Sequence, residues 1–224
     1  MPGSTAAGST PDFIQEKIHP LPFNLPSTMN ETKNILPLDG EVFFYPGFFE
    51  KAEADQLMQS LKTTIKWKQE PIKIMGKEIM QPRLTALYGD TDQSYRYSGL
   101  TMIPAVFTPE LLLIKTKVET VCGHSFTTAL LNYYRNGQDS MGWHRDNEKS
   151  LGLNPVIASI SFGVTRNFKL KHAIDAKQQV VVPLTHGSVL IMAGSTQHKW
   201  YHSIPKQLKL EGERINITFR KIVS

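Results

Sequence analysis

A histidine and an aspartate stand two residues apart in MGWHRDNEKS (141–150), as His144 and Asp146. In extended chain, residues i and i+2 point to the same side, so the imidazole and the carboxylate can reach one ion. A second histidine would complete a set of two imidazoles and one carboxylate on one face of a metal. That set leaves coordination positions open and is the arrangement of non-haem Fe(II) oxygenases. The chain has seven histidines: His19, His124, His144, His172, His186, His198 and His202. His19 lies in a Ser/Thr/Pro/Gly-rich N-terminal stretch and His124 follows a helix stop. His172 follows a lysine and His186 precedes a turn glycine, so these four read as structural or surface residues. The third ligand is then His198 or His202, both in QHKWYHSIP (197–205). A catalytic zinc site could use the same set, and a polar surface turn would need no metal at all.

ERINITFRK (213–221) carries a second signal. As a strand it sends Ile215, Ile217 and Phe219 to one face and Arg214, Asn216, Thr218 and Arg220 to the other. Two arginines on a buried face are costly unless paired. A guanidinium grips a carboxylate with two parallel hydrogen bonds, so the pair suits a dicarboxylate such as 2-oxoglutarate. The same pattern also suits a polar face paired with protein acids or open to water. The His-x-Asp pair and a strand containing Asn132-Tyr133-Tyr134 weigh against that, and a zinc hydrolase would leave both arginines without a task.

Both motifs need strands to hold them. From residue 125 onward the pattern has period two, predicting strands over 126–134, 156–162, 167–170, 179–184, 188–192 and 214–221. Asn136-Gly137, Asn154-Pro155 and His186-Gly187 break them. Upstream, GEVFFY (40–45) predicts a strand. A helix follows, with Ala54, Leu57, Met58 and Leu61 on its apolar face and Glu50, Lys51, Glu53 and Asp55 toward water. A second helix is capped by Thr108, opens on Pro109, carries Leu111, Ile114, Val118 and Val121 as its stripe and stops at Gly123. Two helices followed by many short strands predict an α+β chain whose second half is a sandwich or barrel. Residues 1–35 read as a flexible leader and 36–224 as a single domain. One cysteine, Cys122, excludes a disulfide framework and a cysteine-rich zinc site. The N-terminus has neither the basic start nor the apolar stretch of a secretory signal, and the apolar runs are too short to cross a bilayer. An intracellular setting follows, and a net charge of +5 favours polyanionic partners.

QPRLTALYGD, YRYSGLTM, LNYYRNGQDSMGWHRDNE, IASISFGVTRNF, LTHGSVLIM, WYHSIPK and RINITFRK occur in that order. Together they resemble the AlkB family of Fe(II)/2-oxoglutarate-dependent nucleic-acid dealkylases, closest to the DNA-repair members, over roughly residues 40–222. The resemblance implies a double-stranded β-helix (jelly-roll) core over about 125–222, two flanking helices and an N-terminal nucleotide-recognition lid over about 65–100. It makes His144, Asp146 and His202 the iron ligands; His202 is preferred to His198 because it precedes Ser203-Ile204-Pro205. Arg214, Thr218 and Tyr134 would hold the distal carboxylate of 2-oxoglutarate. Arg220 and Asn132 would sit at the end that chelates iron, with Asn216 a further candidate. Dioxygen would be the co-substrate. Oxidation of the keto acid to succinate and carbon dioxide would be coupled to hydroxylation of an N-methyl group, released as formaldehyde. The expected substrates are 1-methyladenine and 3-methylcytosine in DNA, single- or double-stranded, or in RNA.

On the substrate side the resemblance implies a base flipped out of its stack. Tyr95 and Tyr97 would form one wall of its pocket and His144 the other, although aromatics also suit an ordinary half-buried strand. Glu148 matches an acidic position at the base edge, or is a surface carboxylate. Met75, in IKIMGK (72–77), would tip a finger that fills the gap in a duplex, or is a hairpin-tip methionine. Three departures bear on base choice and duplex preference: Met75 in place of an aromatic residue, the interrupted basic run Lys206-Gln207-Leu208-Lys209, and Asn147 in place of an acid. Arg83 is a substrate-side candidate, one of a pool of phosphate contacts with Lys51, Lys62, Lys66, Lys68, Lys73, Lys77, Arg96 and Lys206. The chain is expected to be a monomer with no membrane partner, nuclear in a eukaryote and cytoplasmic in a bacterium. An oxygenase acting on a protein or small molecule, and a non-catalytic jelly-roll binding module, are the alternatives.

Overall fold

The computed structural model describes residues 33–74, 77–90, 95–97 and 100–223, with only the backbone course for 73, 74, 77, 95–97 and 100–102. The first half contains β1 (Glu41–Tyr45), α1 (Lys51–Thr64), β2 (Pro71–Ile74), β3 (Lys77–Met80), β4 (Leu84–Gly89), β5 (Tyr95–Tyr97), β6 (Leu100–Met102), β7 (Ala105–Val106) and α2 (Pro109–Cys122). The second half contains β8 (Thr128–Tyr134), β9 (Met141–His144), β10 (Ile157–Gly163), β11 (Arg166–His172), β12 (Gln179–Leu184), β13 (Ser188–Ala193), α3 (Thr196–Lys199), β14 (Trp200–Ile204) and β15 (Arg214–Arg220).

Two sheets face each other. The larger runs β1-β13-β10-β15-β8-β4-β7 and the smaller β12-β11-β14-β9. Their pairings are antiparallel except that of β4 with β7. β2–β3 and β5–β6 are separate two-stranded antiparallel sheets. This is the jelly roll that the resemblance implied, with two long helices on the outer face of the larger sheet.

Alternation along each strand builds two cores. Outward-facing Phe43, Ile160, Phe162, Val189, Ile191, Ile217 and Phe219 pack with Leu57 and Leu61 of α1 and Leu111, Ile114 and Val118 of α2. Val42, Ile157, Leu190 and Met192 face inward and meet Phe168, Leu170, Trp200 and Ile204 of the smaller sheet. In α2, Thr108 Oγ1 accepts the Leu111 N–H at 3.4 Å. Gly123 ends the helix at φ 64°, a left-handed conformation that favours glycine, with its N–H on Glu119 O.

Several details depart from the pattern read in the sequence. Cys122 is buried beside the expected stripe of α2, whose last member, Val121, is partly buried against the same core. Glu53 is half-buried and pairs with Lys117 of α2 at 2.7 Å instead of simply facing water. β9 and β14 are strands that period-two counting missed, since each is short and its residues, MGWH and WYHSI, show no clear alternation of apolar and polar types. Residues 1–32, including His19, and Met75 lie outside the described residues, as do the side chains of Tyr95 and Tyr97. No helix among the described residues is long and apolar enough to cross a membrane.

Candidate metal and keto-acid site

β14 lies antiparallel to β9 with His202 directly opposite His144, and the register slips immediately beyond, before Ile204. The two imidazole centroids are 4.2 Å apart. Asp146 follows on from β9, its Oδ1 4.0 Å from His144 Nε2. One ligand atom from each of the three residues lies within 4.8 Å of the other two. His144 Nδ1 meets Gly142 O at 2.9 Å; a carbonyl can only accept, so Nδ1 carries the proton and Nε2 keeps its lone pair. Burial pushes the His144 pKa down, and burial together with His144 brings that of His202 to about 3. For Asp146 burial acts in the opposite direction, but Arg220 and the two imidazoles outweigh it and hold the carboxyl at about 2. At neutral pH all three groups are therefore in their ligand forms: two neutral imidazoles and an ionised carboxylate. Asp146 Oδ1 is buried and has no hydrogen-bond partner, a costly condition that a bound cation would relieve. His198 is not in the group; its backbone carbonyl instead accepts from Arg145 Nη1 at 2.8 Å.

β15 runs between β10 and β8, and its register sets Arg214 beside Tyr134 and Asn216 beside Asn132. Its polar face opens on a pocket between the sheets, lined by Asn132, Tyr134, Arg214, Asn216, Thr218 and Arg220 together with the three metal-site residues. Met141, Phe168, Met192 and Ile204 make its apolar walls. Arg214 is 1% exposed. Its Nη2 donates to Ser161 Oγ at 2.9 Å, while Nε and Nη1 are buried without partners. Burial pulls its pKa to about 10, still far above neutrality. Tyr134 lies between two guanidinium groups, Arg214 at 5.1 Å and Arg166 at 5.4 Å from its ring centroid. Among the described residues, this end of the pocket therefore presents a buried cation with open donors and no carboxylate to meet them. A ligand carboxylate fits there.

The opposite end is different. Arg220 Nη2 donates to Asp146 Oδ2 at 2.9 Å, so this arginine sits on the metal side and holds a metal-site carboxylate. Asn216 is spent on the sheet: its Nδ2 donates to Ser159 Oγ and Ile160 O, and its Oδ1 accepts from Thr218 Oγ1 at 3.1 Å. Thr218 gives its one hydroxyl proton to Asn216, so it would have to turn from that bond to donate to a ligand.

The substrate-side expectations fare unevenly. Arg83 is 5% exposed, and its donors go to Asn132 Oδ1, Gln81 Oε1 and Ser140 O, which removes it from the phosphate contacts. Lys62 is tied to Glu213, and Lys51 to Asp55. Glu148 is half-buried, with Oε2 lacking a partner; burial and the charge of Asp146 push its pKa up. Gln197 is a site residue that sequence reading missed. Fully buried in α3, it accepts the Asp146 N–H on Oε1 at 3.0 Å. A glutamine in QHKW gives no signal of this, because the contact spans 51 residues.

Residues 41–220 match the 2OG-Fe(II) oxygenase superfamily. The chain is 42% identical over 186 residues to "Alpha-ketoglutarate-dependent dioxygenase alkB homolog 3" of Bos taurus, covering 79% of this chain and 64% of that protein. It is 38% identical over 189 residues to "DNA oxidative demethylase ALKBH2" of Homo sapiens, covering 80% and 72%. It thus spans just under two thirds of the alkB homolog 3 proteins, 64% in cattle and 66% in human. The solved structure of OsALKBH1 shares the fold, with a TM-score of 0.60 at 17% identity over 80% of this chain and 97% of that one. With a two-histidine, one-carboxylate group and a buried arginine lining one pocket, the chain belongs to the 2OG-Fe(II) oxygenase superfamily, among its AlkB-type members.

Proposed function

We propose that this chain is a dioxygenase that repairs DNA by removing N-methyl groups, chiefly from 1-methyladenine and 3-methylcytosine. One observation carries the reading: a three-ligand metal group and a buried arginine with open donors share a single pocket. His144, Asp146 and His202 would hold Fe(II). Arg214, with Tyr134 and Thr218, would hold the far carboxylate of 2-oxoglutarate, and Asn132 and Arg220 would stand at its metal end. Iron and keto acid, when bound, would activate dioxygen: one oxygen atom would go into succinate as the keto acid loses carbon dioxide, and the other would hydroxylate the methyl carbon. The hydroxymethyl group then leaves as formaldehyde and the base recovers its hydrogen-bonding edge. The side chains themselves ligate and orient, and the walls of Met141, Phe168, Met192 and Ile204 keep water from the reacting centre.

The DNA choice is supported by relatives named for DNA demethylation at 36–39% identity in three mammals. The strand pairs β2–β3 and β5–β6 would form the lid. Glu148 would face its exocyclic amine. Lys66, Lys68 and Lys206, which form no ion pair among the described residues, remain for phosphates. The enzyme would act as a monomer inside the cell, in the nucleus where there is one, with residues 1–35 as a leader to one domain. The test is formaldehyde release from a 1-methyladenine oligonucleotide with and without Fe(II) and 2-oxoglutarate, beside His144→Ala. Release that needs both and vanishes in the variant is expected. Faster turnover of methylated RNA than of DNA would overturn the substrate choice, and no release from either would overturn the reaction.

A further inference from the structure

Arg83 and Asn132 are 49 residues apart in the chain, and Arg83 Nε donates to Asn132 Oδ1 at 2.7 Å. A guanidinium has donors only. The atom it meets must therefore be the amide oxygen, which turns the Nδ2 edge of Asn132 away from Arg83. Asn132 is set in β8 between Thr85 of β4 and Asn216 of β15, and its side chain lines the pocket. Among the described residues its amide nitrogen donates to no protein acceptor. Arg83 is itself held from two further directions: Nη2 donates to Gln81 Oε1 at 2.7 Å and Nη1 to Ser140 O at 3.2 Å. Its three acceptors are all neutral, so a whole positive charge is buried directly behind the amide. A hydrogen bond from a cation to the amide oxygen polarises the group and makes its far N–H edge a stronger donor.

We infer that Arg83 is a positioning residue for the keto acid. It locks Asn132 with its N–H edge toward the pocket, so that the metal-side carboxylate of 2-oxoglutarate meets a donor and never the amide oxygen. Without Arg83 the two edges of the amide are nearly equivalent, and the wrong one repels a carboxylate. This rests on the cofactor assignment above and concerns binding, not turnover.

The test is a double-mutant cycle read by isothermal titration of 2-oxoglutarate into the Mn(II)-loaded full chain. Arg83→Met and Asn132→Ala should each weaken 2-oxoglutarate binding by about tenfold, and the double variant should bind no worse than Asn132→Ala alone. Mn(II) affinity should be the same in all four proteins. Arg83→Lys, which keeps one charged donor, should recover binding to within about threefold of wild type. If Arg83→Met does not fold, the lysine variant carries the cycle, and its residual loss should vanish in the Asn132→Ala background. Losses that multiply in the double variant, to about a hundredfold, would show that Arg83 acts independently of Asn132 and overturn the inference. So would an Arg83→Met protein with undiminished affinity. If wild type takes up no 2-oxoglutarate, the cofactor assignment itself falls and this inference falls with it.

Discussion

The two faces of β15 are equally buried and opposite in content. Toward the helices, Ile215, Ile217 and Phe219 sit in a dry core, with Phe219 stacked on Phe126 at 5.9 Å. Toward the smaller sheet, Arg214, Asn216, Thr218 and Arg220 are each 7% exposed or less. The first face satisfies itself by packing. The second leaves Arg214 Nε and Nη1 without partners inside the protein, although buried polar groups are nearly always satisfied. One strand thus divides by parity: odd positions hold the fold together, and even positions line the pocket with buried polar groups.

That division can be broken from either side. Phe219→Ala should cost about 3–5 kcal/mol in urea unfolding, while 2-oxoglutarate affinity of the folded protein stays close to wild type. A cost of under about 1 kcal/mol would mean the outer face does not carry the core. Next in size, Mn(II)-loaded wild type should gain about 2.7 kcal/mol more when 2-oxoglutarate is added at about a hundred times its dissociation constant, and Mn(II)-loaded Arg214→Met should gain nothing from the keto acid. Without ligand, Arg214→Met should be at least as stable as wild type, since replacing a buried unpaired charge by a methionine removes a penalty. A large loss of stability in that variant would make Arg214 structural. Chelation sharpens the metal half of the same face. Adding Mn(II) should raise the thermal midpoint of wild type and leave that of Asp146→Ala unmoved; equal shifts in both would remove Asp146 from the metal. The smallest effect is expected from Thr218→Val, a loss of about 0.5–1.5 kcal/mol in 2-oxoglutarate binding, or up to about tenfold, with little change in unfolding.

Parity made much of this site readable before any coordinates. Alternation in RINITFRK separated the arginine face from the isoleucine face, and the same rule put His144 and Asp146 on one side. The long strands and both long helices were readable because each carries several turns or alternations of its own signal. β9 and β14 were not, since the four residues of MGWH and the five of WYHSI give too few alternations to count. Arg83 was misread for a related reason. A basic residue near a lid suggests phosphate, and nothing adjacent in the chain shows that Asn132, Gln81 and Ser140 close over it.

By itself, then, the order of residues determined the secondary structure wherever periodicity is long, the ligand types, and which side chains of β15 share a face. These follow from backbone geometry, which repeats every two or every 3.6 residues whatever the chain packs against. Only the tertiary structure decided that Arg220 pairs with Asp146 and that Arg83 turns inward, and it set His202, which the family motif already favoured over His198, opposite His144. Those contacts span tens of residues and depend on strand register, where a shift of one position exchanges the faces and dismantles the site.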